Sequence, residues 1–161
     1  MIKRTRKILP NVCALRPRWR KKIMGEYHIP IHRKSKMAVR VIVFDSRESM
    51  KEFFEIQLGR PKSATRDTRA LCSDLSWKEG YDDGSSKMIY DKTYVALICF
   101  VENDLDVELI AHEAVHAAHA FSNRTNLEWP DQKRSPEEAI AYPVGIITRL
   151  IYEKLKEEQF L

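Results

Sequence analysis

An α+β domain, built on a short mixed β-sheet with a histidine-bearing helix and a C-terminal helix, is the fold class this sequence predicts. Three observations predict it. Met37–Phe44 (MAVRVIVF) and Thr93–Val101 (TYVALICFV) are apolar, β-branched runs of strand length. Leu105–Ser122 is alanine-rich and contains no Gly or Pro, which favours helix. Ile140, Val144, Ile147, Ile151 and Leu155 recur at helical spacing and give a second helix one buried stripe.

The elements follow in order. Residues 1–36 show weak periodicity, with Pro10, Pro17 and Pro30 interrupting any long helix. Met37–Phe44 is a strand. Asp45 or Ser46 then offers an N-cap, and Glu48 completes a capping box with Asp45. A helix carrying Met50, Phe53, Phe54 and Leu58 follows, closed by Gly59 at the C′ position with Pro61 beyond. Residues 60–86 are polar and turn-rich, with a short strand around 70–77. Lys87–Tyr90 and Thr93–Val101 read as a hairpin turning near Asp91-Lys92, and the second strand is a candidate edge for an extended peptide as well as a core strand. Asp104 or Asp106 caps the histidine-bearing helix. Ser135-Pro136 starts the last helix as N-cap and N1 proline, and Pro143 inside it should kink or break it.

At 161 residues, 43% hydrophobic and 32% charged, the chain suits one core-forming domain, 37–161, behind a basic N-terminal arm, 1–36. Residues 1–40 hold thirteen Lys or Arg against one acid, Glu26, so this end is about +12 while the whole chain is +5. Such asymmetry suits contact with nucleic acid or an acidic partner, although Trp19 between Arg18 and Arg20 can equally pin the segment onto its own domain. Cys13, Cys72 and Cys99 are odd in number and far apart, so they read as free thiols in a reducing cytosol. No apolar run is long enough to span a bilayer, and a cytoplasmic location with no membrane partner is expected.

The chemistry concentrates in His112-Glu113-Ala114-Val115-His116. Residues four apart share a helix face, so the two imidazoles aim at one point, as zinc ligands do. Glu113 beside them is placed as general base. A catalytic zinc generally takes three protein ligands and keeps one position for water. No histidine lies beyond His119, and a straight helix does not easily wrap three ligands round a tetrahedral ion, so His119 reads as a pocket-wall residue. The third ligand is then a downstream carboxylate among Glu128, Asp131, Glu137 and Glu138. The start of the last helix favours Glu137 or Glu138, although Glu138 can also fold back to Ser135 in a capping box.

The pattern His112-Glu113-Ala-Val-His116-Ala-Ala-His119, followed some twenty residues later by Glu137-Glu138-Ala-Ile-Ala-Tyr142, resembles phage-encoded zinc metallopeptidases of the minimal gluzincin type and, more distantly, the ImmA/IrrE peptidases. The resemblance covers residues 93–151. It implies a zincin-like domain with His112, His116 and Glu138 on a Zn2+ ion, Glu113 as base and Tyr142 as a candidate donor to the oxyanion. The implied activity is zinc-dependent endopeptidase action on a protein or peptide, in a host cytoplasm if the chain is phage-encoded. Ile140 and Tyr142 depart from the residue types of the more distant family. A second expectation, of a different class, is a zinc-stapled nucleic-acid- or protein-binding module, catalytically weak or inactive, that works through the basic arm. A third is an α+β structural protein in which the pentad is accidental.

Overall fold

The computed structural model describes residues 17–32, 36–59, 68–80, 84–125 and 136–161. Among these, six strands and three α-helices occur: β1 (Ile23–His32), β2 (Met37–Phe44), α1 (Arg47–Leu58), β3 (Ala70–Asp74), β4 (Ser76–Gly80), β5 (Ser86–Tyr90), β6 (Tyr94–Val101), α2 (Val107–Thr125) and α3 (Pro136–Glu157). The fold is α+β with a four-stranded mixed sheet in the order β1-β2-β6-β3. β2 and β6 run parallel, and the two outer pairings are antiparallel.

β2 and β6 are apolar almost without interruption because both of their faces are covered, as central strands require. On one face Val39, Val41 and Val43 of β2, with Ala96, Ile98 and Phe100 of β6, pack against Ile110, Ala114, Ala117 and Phe121 of α2 and Ile147, Ile151 and Leu155 of α3. On the other, Ile42, Phe44, Leu97 and Cys99 pack against Met50, Phe53 and Phe54 of α1.

Residues 17–32, which the sequence reading assigned to a basic arm, belong to this framework. β1 pairs along β2, and alternation puts Tyr27, Ile29 and Ile31 on the α2/α3 side. Trp19 is fully buried under α1, edge-on to Phe53 at 5.4 Å between ring centroids. The Arg18 guanidinium stands 4.7 Å from the Trp19 ring centre, and Arg18 and Lys22 both bind Glu52 of α1. Arg40, buried on β2, holds Glu26 of β1 and lies over the Tyr94 ring. Two basic side chains of this segment, Arg18 and Lys22, are therefore ion-paired within the domain.

The expected hairpin between 87–90 and 93–101 is not formed. β5 pairs instead with β4, Ser76 opposite Tyr90 and Gly80 opposite Ser86, as a separate two-stranded sheet. Asp91 turns the chain out of β5 by accepting from the backbone N–H groups of Thr93 and Tyr94 at 2.8 and 2.6 Å. β6 is thereby delivered between β2 and β3, so it is an interior strand and the edges are β1 and β3.

α1 is capped by Ser46, whose hydroxyl accepts from Ser49 N–H at 3.2 Å, in place of the Asp45–Glu48 box. Gly59 ends it at φ 62°, the left-handed region where glycine costs least. α3 continues through Pro143 without a break. Its end is a Schellman-type turn in which Phe160 N–H donates to Leu155 C=O at 2.9 Å, with Gln159 at φ 66°. Phe160 then packs edge-on against Tyr27, whose ring lies over Gly25, where a Cβ would clash with the phenol. No helix among the described residues is long and apolar enough to cross a membrane.

Candidate metal centre

α2 begins at a charged knot. Asp106 caps it, its Oδ1 accepting from Leu109 N–H at 2.7 Å, while Arg69 donates to Asp106 Oδ2 at 2.7 Å and to Asp104 C=O at 2.9 Å. Asp104, the other candidate cap, is bound by Arg47 at the start of α1. The backbone N–H of Leu109 and the Arg69 guanidinium hold the Asp106 carboxyl below the usual carboxylate range, and Arg47 does the same for Asp104. Two arginines distant in sequence thus tie down the start of the helix that carries the histidines.

From that start, helical periodicity turns Glu113, Ala114, Ala117 and Ala118 inward and leaves His112, Val115, His116 and His119 outward. His112 and His116 converge, their Nε2 atoms 3.3 Å apart and their rings at 70°. Two nitrogens each about 2.0–2.1 Å from a tetrahedral ion stand roughly 3.3–3.4 Å apart, so the pair already has the bite of a zinc site. A shared proton satisfies the same two lone pairs at that separation. Burial first, then the neighbouring His112 and His119, lowers the pKa of His116 and favours the neutral imidazole that a metal needs.

Glu113 is buried at 4% exposure and accepts no hydrogen bond among the described residues; its nearest charged partner is His112 Nε2, 4.0 Å from Oε1. Burial raises its pKa and His112 opposes the rise. Cys72 of the edge strand β3 is its electrostatic neighbour: burial, then Glu113 and Asp74, push the thiol well up, which leaves it protonated and unreactive. Cys99 packs on the opposite face of the sheet, so the two thiols do not meet. Sequence reasoning missed Cys72, Arg69 and Arg47 because their roles depend on strand order and on contacts across the fold.

Glu138 and Tyr142 are exposed on the first two turns of α3. Among the described residues no three His, Cys, Asp or Glu side chains form a group able to hold an ion, so Glu138 does not join His112 and His116. Cys13, Glu128, Asp131 and Ser135, and the side chain of Glu137, lie outside the described residues. Within the described residues the site is thus a converging pair of imidazoles beside a buried carboxylate.

Comparison with protein-family models, with curated proteins and with solved structures gave no match to this chain.

Proposed function

We propose that this protein is a zinc-dependent peptidase in which His112 and His116 hold the ion and Glu113 is the general base. One observation carries the reading: two imidazole Nε2 atoms at the bite of a tetrahedral metal, beside a buried carboxylate that accepts no hydrogen bond among the described residues. Zinc would supply Lewis acidity, acidifying a water and polarising a scissile carbonyl. Glu113 is suited to take the water's proton, because burial raises its basicity and no donor among the described residues competes for its oxygens. It would then pass that proton to the departing amine. Among the described residues β3 pairs with β6 on one side only and lies beside Glu113, so its outer edge is the natural ledge for an extended peptide. Tyr142 remains the candidate oxyanion donor.

Of the basic residues in 1–36, Arg18 and Lys22 are ion-paired with Glu52 and so are drawn away from a nucleic-acid contact. The test is proteolysis of an unfolded protein by the zinc-loaded chain. Glu113→Gln should keep its zinc and lose cleavage by about 10²–10⁴-fold. Cleavage at the wild-type rate by Glu113→Gln would sink the mechanism.

A further inference from the structure

We infer that Arg69 and Arg124 are positioning residues, which fasten the metal helix α2 at both of its ends to the strands that carry the peptide ledge. This rests on the proposed metal site and on the proposed ledge at β3.

β3 and β4 form one nearly continuous extended run, with β6 and β5 returning beside it. Leu75 marks the bend. Its N–H donates to Val95 C=O at 3.2 Å, and its C=O accepts from Asp91 N–H at 2.9 Å. Residues 70–80 and 86–101 are thus one long, bent pair of strands, and α2 packs on its β3 and β6 portion.

One arginine ties each end of α2 to that pair. At the start, Arg69 immediately precedes β3 and donates from Nη2 to Asp106 and to Asp104 C=O, and Asp106 caps α2. At the far end, Arg124 donates from Nη1 to Tyr94 C=O at 2.6 Å and stands 5.6 Å from the Tyr90 ring centre. Asp91 and Asp74 are its further electrostatic neighbours, so the end of β3, the turn before β6 and the end of α2 meet at one guanidinium. His112, Glu113 and His116 lie between the two ties.

The middle of α2 gives the reason such ties are needed. Its inner face there is Ala114, Ala117 and Ala118, all fully buried. Apolar burial is non-directional, and a face of single methyl groups fixes neither the axial position nor the rotation of a helix. Charge-assisted hydrogen bonds at both ends do fix them. A peptide paired along the outer edge of β3 would therefore meet the histidine pair at a height that Arg69 and Arg124 set. An error of about 1 Å in such a placement can cost about 10²-fold in rate.

The experiment uses the full chain with Arg69→Ala and Arg124→Met, replaced by Arg69→Gln or Arg124→Gln where circular dichroism shows a variant unfolded. Loaded with Co(II), against Zn(II) as the diamagnetic reference, the wild type should show pseudocontact shifts at the amides of β3, and both variants should change them. In parallel, kcat/KM is measured around one bond that the chain cleaves in an unfolded protein. One peptide has about ten residues, long enough to span β3 at about 3.3 Å per residue, and the other only its central four or so. The wild type should prefer the longer peptide by at least about 10-fold, and both variants should lose most of that preference. A ratio does not depend on the fraction of active chain, so lowered stability alone leaves it unmoved. Unchanged β3 shifts or an unchanged ratio in either variant, or a wild type without the preference, overturns this inference and leaves the peptidase reading standing. A folded wild type that binds neither metal, or cleaves neither peptide nor protein, overturns both.

Discussion

Burial of Glu113 comes at a cost to the fold. A carboxylate whose folded-state pKa is raised above its unfolded value favours the folded state most when protonated, and that advantage is lost as pH rises through the folded pKa. At neutral pH ionised Glu113 is therefore a destabilising group, and its raised pKa has burial as the first cause. Glu113→Gln should melt at a higher temperature than the metal-free wild type at pH 7. The difference should shrink as pH falls toward the ordinary glutamate value near 4.3. Paired thermal melts check this, and a lower melting temperature for the variant would refute it. His116 has the opposite sign: its lowered pKa means stability is lost as pH falls below the ordinary histidine value of about 6.5. The histidine pair was legible in the sequence because a period of 3.6 fixes which side chains share a face. The seclusion of Glu113 was not, because it depends on where β3 lies.

At the scale of the element, the start of α2 sets where the histidines sit. Asp106 is both cap and anchor for Arg69. Its lowered pKa contributes stability above the unfolded value that is lost as the group protonates in the acid range. Asp106→Ala should fray the first turn, lower the melting temperature and speed amide exchange at Leu109 and Ile110, with α3 unaffected; unchanged exchange at those amides would remove Asp106 as the cap. The cap was legible as a choice between Asp104 and Asp106, and Arg47 decided it by occupying Asp104. Strand pairing was less legible. Lys87–Tyr90 looked like the partner of Thr93–Val101 because the two are adjacent, but Asp91 breaks the geometry of a two-residue turn and β4 takes β5.

Across the whole molecule, the sheet has two separate cores, and the α1 side depends on a residue that looked peripheral. Trp19 fills the space beside Phe53 and is fully buried. Truncating such an aromatic costs about 3–5 kcal/mol, which is a large part of the roughly 5–15 kcal/mol that holds a domain together. Trp19→Ala should unfold at markedly lower urea, and so should a chain lacking residues 1–22. An unchanged urea midpoint for Trp19→Ala would return residues 17–22 to the status of an appended arm. The basic charges and prolines masked β1, yet the alternation of Tyr27, Ile29 and Ile31 was its visible signal. The paired central strands were readable throughout, because burial on both faces leaves an unbroken apolar run.

The position of β6 has a consequence for biosynthesis. Both of its neighbours in the sheet precede it in the chain, so the sheet cannot close before residue 101 has been made. Until then β2, paired only with β1, presents an open apolar edge of the kind that recruits other chains. At translation rates of 5–20 residues per second that interval lasts roughly 3–11 s. Its length is set by the ribosome, so slowing synthesis between β2 and β6 prolongs the phase in which the nascent chain is prone to aggregate.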